Sequence, residues 1–304
     1  MLPAPLDTLL DRTVVPGYSR AGYALRSRAW RATDPPPGAL AGRVVAITGA
    51  TSGIGRATAQ ACRDLGADVL LIGRDRGRTE AVARDVGAAV ELGDMSLLAS
   101  VRDLARRLRG RDLHALVHNA GVMTDRRTET AEGHERTLAT HVLGPHLLSR
   151  LLSDAPPART IWVSSGGMYT QRLDTTDLQS ARGDFDGTAA YARTKRMQVV
   201  LAQAWARQSR APAVVHAMHP GWVDTPGLTA AMQGFHRVTK PILRPPAEGA
   251  DTIAWLVAAD APAQTTGGFW HDRRQRPTHY LKRTREAASD REALWAACER
   301  LTAD

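Results

Sequence analysis

From Val44 onward, short apolar runs alternate with longer segments in which apolar residues recur every three or four positions. Runs of four to six apolar residues bounded by turn residues predict buried strands, and the longer period predicts amphipathic helices. The strands fall at 44–48, 68–73, 88–92, 114–118, 159–164, 213–218 and about 267–271. Helices are predicted over 54–66, 76–86, 96–109, 132–153, 189–209 and 247–258. Regular alternation of this kind implies an α/β fold: a doubly wound, seven-stranded parallel sheet with helices on both faces and ligands at the carboxyl ends of its strands.

Two segments interrupt the alternation, 166–188 and 224–246. Long irregular stretches in a compact domain are commonly binding loops, and 224–246 is read as a substrate lid. Residues 1–41 form an N-terminal extension closed by the breaker Asp34-Pro-Pro-Pro-Gly38. Its middle, Tyr18 to Trp30, predicts a short basic amphipathic helix. Three resting places are open to it: a partner subunit, anionic lipid as a peripheral membrane contact, and the core, which is the reading adopted. Residues 42–275 make the catalytic domain, and 276–304 a C-terminal extension with a helix.

The 304 residues are 43% hydrophobic, enough for a large core, yet no apolar run approaches the roughly 18 residues a membrane span needs. Two cysteines, Cys62 and Cys298, supply neither a disulfide framework nor a metal-ligand pair, and no secretory signal begins the chain, so a cytoplasmic location is expected. The net charge of +9 raises the question of nucleic acid. Its arginines lie in mixed-sign runs such as Arg102-Asp-Leu-Ala-Arg-Arg107 without interleaved aromatics, which describes solvated helix faces, so no nucleic-acid partner is expected.

Candidate chemistry begins where the first strand runs into Thr48-Gly-Ala-Thr-Ser-Gly-Ile-Gly55. Gly49 permits the sharp turn, Gly53 a close approach to a pyrophosphate and Gly55 tight helix–sheet packing, while Thr51, Ser52 and Ile54 complete a loop feeding a helix N-terminus that favours anions. This is the dinucleotide site of a single-domain Rossmann fold. After the second strand, Arg74 stands where an acidic residue would hold a ribose hydroxyl; a guanidinium there pairs with a 2′-phosphate, so NADP(H) is expected over NAD(H). Asp75 is the competing carboxylate, and Arg56 adds positive charge nearby. Asp94 and Met95 follow the third strand, with Asp94 placed for the adenine amino group. Asn119-Ala120-Gly121 closes the fourth, where Asn119 can pin neighbouring strands and Gly121 leaves room for a cofactor.

Tyr191-Ala-Arg-Thr-Lys195 puts a phenol and an ammonium on one helix face, where the lysine and a bound nicotinamide cation both favour a phenolate able to exchange a proton with a substrate oxygen. Ser165, at the end of the fifth strand, can hold that oxygen. After the sixth strand, Pro220-Gly221 turns the chain under a nicotinamide, and the Val223 backbone and Thr225 hydroxyl can bind its carboxamide. Gly166, Met168, Tyr169, Trp222, Met232 and Phe235 are candidates for the substrate pocket. His219 is read as a hydrogen-bonded structural histidine, with no metal site, because no second ligand sits at suitable spacing.

These motifs, in this order, resemble the short-chain dehydrogenase/reductase (SDR) family over about residues 40–275. Within it the chain is most similar to the group called family member 12, through Val163-Ser-Ser-Gly-Gly-Met-Tyr169, Met218-His-Pro-Gly-Trp222, Phe269-Trp-His-Asp-Arg273 and even Tyr18-Ser-Arg-Ala-Gly-Tyr23. Retinol-dehydrogenase-like members come next. The resemblance implies an NAD(P)-dependent oxidoreductase acting on a carbonyl or alcohol, with Ser165, Tyr191 and Lys195 catalytic, in a homodimer or homotetramer. It also implies a fourth catalytic position, which is asparagine in the family and His141 here. An imidazole there can hold a water beside Lys195. A cofactor-binding sensor with little turnover is the alternative.

Overall fold

The structure, a computed structural model, describes residues 2–30, 33–209 and 213–303. Three helices precede the sheet: α1 (Ala4–Arg12), α2 (Val15–Tyr18) and α3 (Arg20–Ser27). The alternating region then runs β1 (Val44–Thr48), α4 (Gly53–Asp64), β2 (Asp68–Gly73), α5 (Arg76–Val86), β3 (Ala89–Leu92), α6 (Leu98–Leu108) and β4 (Leu113–His118). Its second half comprises α7 (Arg136–Leu138), α8 (Gly144–Leu151), β5 (Arg159–Val163), α9 (Gly187–Gln208), β6 (Val214–Met218), α10 (Pro226–Ala231), α11 (Gln233–Thr239), α12 (Pro246–Ala258) and α13 (Asp260–Ala263). The chain closes with β7 (Phe269–His271), β8 (Arg274–Arg276) and α14 (Ala288–Leu301).

The strands lie in the order β3-β2-β1-β4-β5-β6-β7-β8, the first seven parallel. The order reverses between β1 and β4, which opens the crevice where α/β folds take ligands. Both faces are apolar because both are covered. Ala46, Leu70, Leu116 and Trp162 face one layer with α6, α8, α9 and α14, while Val45, Val69, Ala115 and Ile161 face the other with α4, α5 and α12. Among the described residues no helix is long and apolar enough to cross a membrane.

Three differences from the sequence reading have local causes. The sheet has eight strands instead of seven: Arg274-Gln-Arg276 is too short and too polar to read as a strand, yet it pairs antiparallel with β7 through the turn Asp272-Arg273. Both turn residues are left-handed (φ 49° and 55°), the conformation of a two-residue hairpin that usually takes Asn or Gly. Side-chain anchors hold it, Asp272 by Arg244 and Arg26, and Arg273 by Asp251 at 2.7 Å. Second, the helix predicted over 132–153 begins at Arg136 and contains a π turn over Ala139–Leu143. Third, 224–246 is not a loop: Thr225 caps α10 by accepting from Leu228 N–H, and α11 follows directly.

The N-terminal helices rest on the core, as the sequence reading held. Tyr18, Arg26, Asp7 and Asp11 are all buried. Arg26 donates to Asp7 at 2.7 Å and to Asp272 at 2.7 Å, Arg276 to Asp7 at 2.5 Å, and Arg244 clasps both oxygens of Asp272 at 2.6 and 2.9 Å. Four guanidiniums (Arg26, Arg244, Arg274 and Arg276) and three carboxylates (Asp7, Asp11 and Asp272) therefore join the extension, the β7–β8 hairpin and the segment before α12 in one largely buried network.

Candidate functional site

The glycine loop has the shape its sequence demanded. Gly49 and Gly53 are left-handed (φ 68° and 51°), and a Cβ on Gly55 would lie 2.4 Å from Asn119 Nδ2. Asn119 donates from Nδ2 to the carbonyls of Thr48 and Gly49 at 2.9 and 3.2 Å, while Thr48 Oγ1 accepts from the Asn119 and Ala120 N–H groups. The loop is thereby fixed to the β1–β4 crevice. Helix α4 starts behind it with Ser52 making no side-chain cap, so its first N–H groups face the loop. A cradle of backbone donors that excludes side chains suits a pyrophosphate.

At the end of β2, Arg74 and Asp75 are both exposed, but their roles divide. Asp75 is the N-cap of α5, its Oδ1 accepting from Arg78 N–H at 2.8 Å. Its carboxylate is turned into the helix, which separates the two residues that sequence alone left in competition. Arg56 pairs with Asp85 at 3.2 Å instead of reaching across the groove. Asp94 Oδ1 accepts from the N–H and hydroxyl of Ser96, and the Met95 side chain is buried in the core. Thr225 reaches the glycine loop, its Cγ2 3.1 Å from where a Cβ on Gly53 would sit, although its hydroxyl already caps α10. Val223 is buried beside α12 and pairs with Arg244, and Gly221 is left-handed (φ 79°) with Arg244 and the Tyr18 carbonyl against it.

Ser165, Tyr191 and Lys195 meet at the carboxyl edge of β5. Lys195 is buried, donates from Nζ to the Val163 carbonyl at 2.9 Å and lies 5.4 Å from the centre of the Tyr191 ring. Burial drives its ammonium down to about 7. Burial likewise pushes the Tyr191 phenol up to about 12, only partly offset by hydrogen bonding to Ser165. In the cofactor-free chain, without the nicotinamide charge that the expectation also invoked, desolvation is the larger effect on the phenol. Ser165 Oγ accepts from Gly167 N–H at 3.2 Å, which fixes the rotamer of the hydroxyl beside the phenol.

His141 is fully committed within the protein. Its Nε2 accepts from Val122 N–H at 2.9 Å, so Nδ1–H donates to Thr194 Oγ1 at 2.8 Å, and that hydroxyl donates to the Tyr191 carbonyl at 2.8 Å. The His141 carbonyl, in the π turn, accepts from Gln198 Nε2 at 2.9 Å. Burial and the Lys195 charge hold the imidazole well below its ordinary range. Neither ring nitrogen is left to hold a water beside Lys195, so that part of the sequence reading is corrected: the side chain bridges the β4 loop to the helix carrying Tyr191.

Two further candidates move. Met168 leaves the pocket list, since its side chain is buried in the core with its sulfur accepting from Arg196 at 3.1 Å; the same guanidinium donates to the Thr284 carbonyl at 3.0 Å and to Glu286 at 2.7 Å. Tyr169 packs the same way, donating its hydroxyl to the Pro277 carbonyl at 2.7 Å. Trp222 and Phe235 do meet, ring centroids 5.3 Å apart, and Met232 links α10 to α11 next to them. Gly166 lies against the Tyr18 ring.

His219 is buried, but neither ring nitrogen has a hydrogen-bond partner among the described residues, which corrects the hydrogen-bonded role expected of it. It stacks on His271 at 3.8 Å, and one ligand atom each from Asp11, His219 and His271 lie within 4.8 Å of one another. Sequence spacing hid that grouping. Its geometry suits packing more than a cation: the stacked imidazoles direct their in-plane lone pairs side by side, and the guanidiniums of Arg276 and Arg26 lie 3.5 and 3.8 Å from Asp11 Oδ1. The network around Arg244 and Asp272 was also missed; its only trace in the sequence was the likeness of segments 18–23 and 269–273, which meet here.

Comparison with known proteins follows the same lines. A family model described as enoyl-(acyl carrier protein) reductase matches residues 49–271. Dehydrogenase/reductase SDR family member 12 of Bos taurus is 39% identical over 299 residues, 93% of each chain. Polyprenol dehydrogenase of Mus musculus is 34% identical over 288 residues, covering 86% of this chain and 84% of that one. A crystal structure of a protein from Mycobacterium paratuberculosis is 28% identical with a TM-score of 0.71, over 90% of this chain and 97% of the other.

Proposed function

The chain belongs to the short-chain dehydrogenase/reductase family, whose members are NAD(P)-dependent oxidoreductases of CH–OH and C=O groups, and on that premise we propose an NADP(H)-dependent carbonyl reductase or alcohol dehydrogenase for apolar substrates. The observation that carries the cofactor choice is Asp75 capping α5 while Arg74 stays exposed at the end of β2. A carboxylate spent on a helix N-terminus does not hold a ribose hydroxyl, and the remaining guanidinium suits a 2′-phosphate. Gly49, Thr51, Ser52, Gly53, Ile54 and Gly55 would hold the pyrophosphate.

The bound nicotinamide supplies the hydride and, when oxidised, a positive charge. The chain's own groups handle the oxygen. Ser165 orients the substrate carbonyl, and Tyr191, protonated because burial keeps it so, donates its proton to the developing alkoxide; Lys195 beneath its ring eases the resulting phenolate. His141 is a positioning residue in this scheme, tying Thr194 and hence the Tyr191 turn to the β4 loop. Trp222 and Phe235 offer the aromatic surface that supports an apolar substrate, and one relative is named polyprenol dehydrogenase.

Fluorescence titration of NADPH and NADH against the wild type and Arg74→Ala tests the reading. The wild type is expected to prefer NADPH, and the variant to lose about 10- to 100-fold of NADPH affinity with NADH little changed, the value of a charge-assisted hydrogen bond. Equal affinities in the wild type would overturn the NADP(H) assignment.

A further inference from the structure

The first helix is built inside out. Along α1, Asp7 and Asp11 are buried and faced by Arg26 and Arg276, while Leu6 and Leu9 are 45% and 60% exposed. At about 100° per residue Leu9 stands opposite the midpoint of the two carboxylates, so the apolar stripe points away from the protein. The turn that follows continues it: Val14 and Val15 are 39% and 51% exposed, and Val14 is held at a positive φ of 57°, a conformation costly for a β-branched residue. Six large hydrophobic residues are exposed among the described residues, and four of them fall between positions 6 and 15. A fifth, Leu281, follows Tyr280, whose hydroxyl donates to Asp11 and whose ring centre lies 5.8 Å from the Arg12 guanidinium. Exposed apolar residues scattered singly are ordinary, whereas a concentration in one place marks a surface that something covers.

The charge around the stripe points to what covers it. Both carboxylates of residues 2–30 are buried, so the exposed charges of the extension are Arg12, Arg20 and Arg28, all positive. The segment after Leu281 has the same character: Lys282, Arg283 and Arg285 are exposed, and the next acid along the chain, Glu286, is turned inward onto Arg196 at 2.7 Å. A second copy of this chain docked stripe to stripe would bring these cations together. An anionic bilayer surface suits both features, because its headgroup boundary takes leucine and valine side chains and its phosphates take guanidiniums.

We propose that α1, the turn through Val15 and the segment 281–283 form a docking face for anionic phospholipid membranes, which holds the protein peripherally by the outer side of its extension. Flotation of the full chain with vesicles of phosphatidylcholine, alone or with about one-third phosphatidylserine, tests it. Binding is expected on the anionic vesicles, weakening as salt rises. Leu6→Gln/Leu9→Gln should lower the partition coefficient at least about tenfold, and Arg12→Gln/Lys282→Gln/Arg283→Gln about fivefold per charge, with circular dichroism unchanged in both. No binding to anionic vesicles, or binding that the leucine variant leaves unchanged, would overturn the proposal. Dimerisation of the wild type that the leucine variant abolishes, without flotation, would overturn it too and make the face a self-association surface. Should the leucine variant not fold, Leu9→Cys labelled with the fluorophore NBD decides the matter, since Cys62 and Cys298 are buried. A blue shift of its emission on adding anionic vesicles is expected; unchanged emission would count against a membrane.

Discussion

Replacing Lys195 by methionine should stabilise the cofactor-free protein at neutral and acid pH. The ammonium is buried, its one hydrogen bond among the described residues is to the Val163 carbonyl, and its protonation falls from an ordinary 10.5 to about 7. Between those values the unfolded chain binds the proton and the folded one does not, so stability rises with pH from about 7 to 10.5; at pH 6 and below the folded state carries the whole penalty. A shift of that size corresponds to about 4 to 5 kcal/mol, of which about 2 to 3 kcal/mol is recovered between pH 6 and pH 9. Methionine fills nearly the same volume without the charge. Urea unfolding of wild type and Lys195→Met at pH 6 and pH 9, followed by circular dichroism, measures this group together with its coupling to His141, because titrations that do not depend on Lys195 cancel in the difference. The variant's advantage is expected to be about 2 to 3 kcal/mol larger at pH 6 than at pH 9, while its carbonyl turnover collapses. An advantage that changes by less than about 1 kcal/mol would refute the buried, depressed lysine.

Two further outcomes follow from the same contacts. Arg244→Met strips Asp272 of two charge-assisted hydrogen bonds and leaves the Ser19 carbonyl without that donor, so urea unfolding should register a loss of about 3 to 5 kcal/mol, the usual result of breaking one side of a buried pair. His141→Asn shortens the bridge between Val122 and Thr194; one unpaired buried N–H costs about 1 to 3 kcal/mol, visible as a lower Tm, and the loosened Tyr191 turn should reduce kcat with KM for NADPH unchanged.

The motifs legible in the sequence were those whose partners are close in the chain or dictated by the fold. Gly49, Gly53 and Gly55 announce a loop that admits no side chain, and Tyr191 and Lys195 share a helix face by spacing alone. The parallel strands were legible because both sheet faces are covered and their runs are continuously apolar. What stayed hidden depends on contacts that spacing does not announce, some of them across hundreds of residues. Asp7 and Arg276 meet only when the extension folds over the β7–β8 hairpin, and Met168 reads as pocket lining until its burial against Arg196 is seen. Arg74 was ranked above Asp75 from their order, but the helix cap that Asp75 makes to Arg78 N–H could not be read there. The Tyr191–Lys195 spacing names the charged neighbour but not the desolvation that opposes it in the cofactor-free chain.

The central claim is that Tyr191 delivers the proton as hydride reaches a substrate carbon. The most direct measurement follows deuterium from [4-2H]NADPH into the carbinol carbon of a ketone product, in wild type and Tyr191→Phe. The expected result is stereospecific incorporation by the wild type, with the rate in Tyr191→Phe reduced about 100- to 10,000-fold while NADPH binding is retained. Incorporation at the wild-type rate by Tyr191→Phe would contradict it.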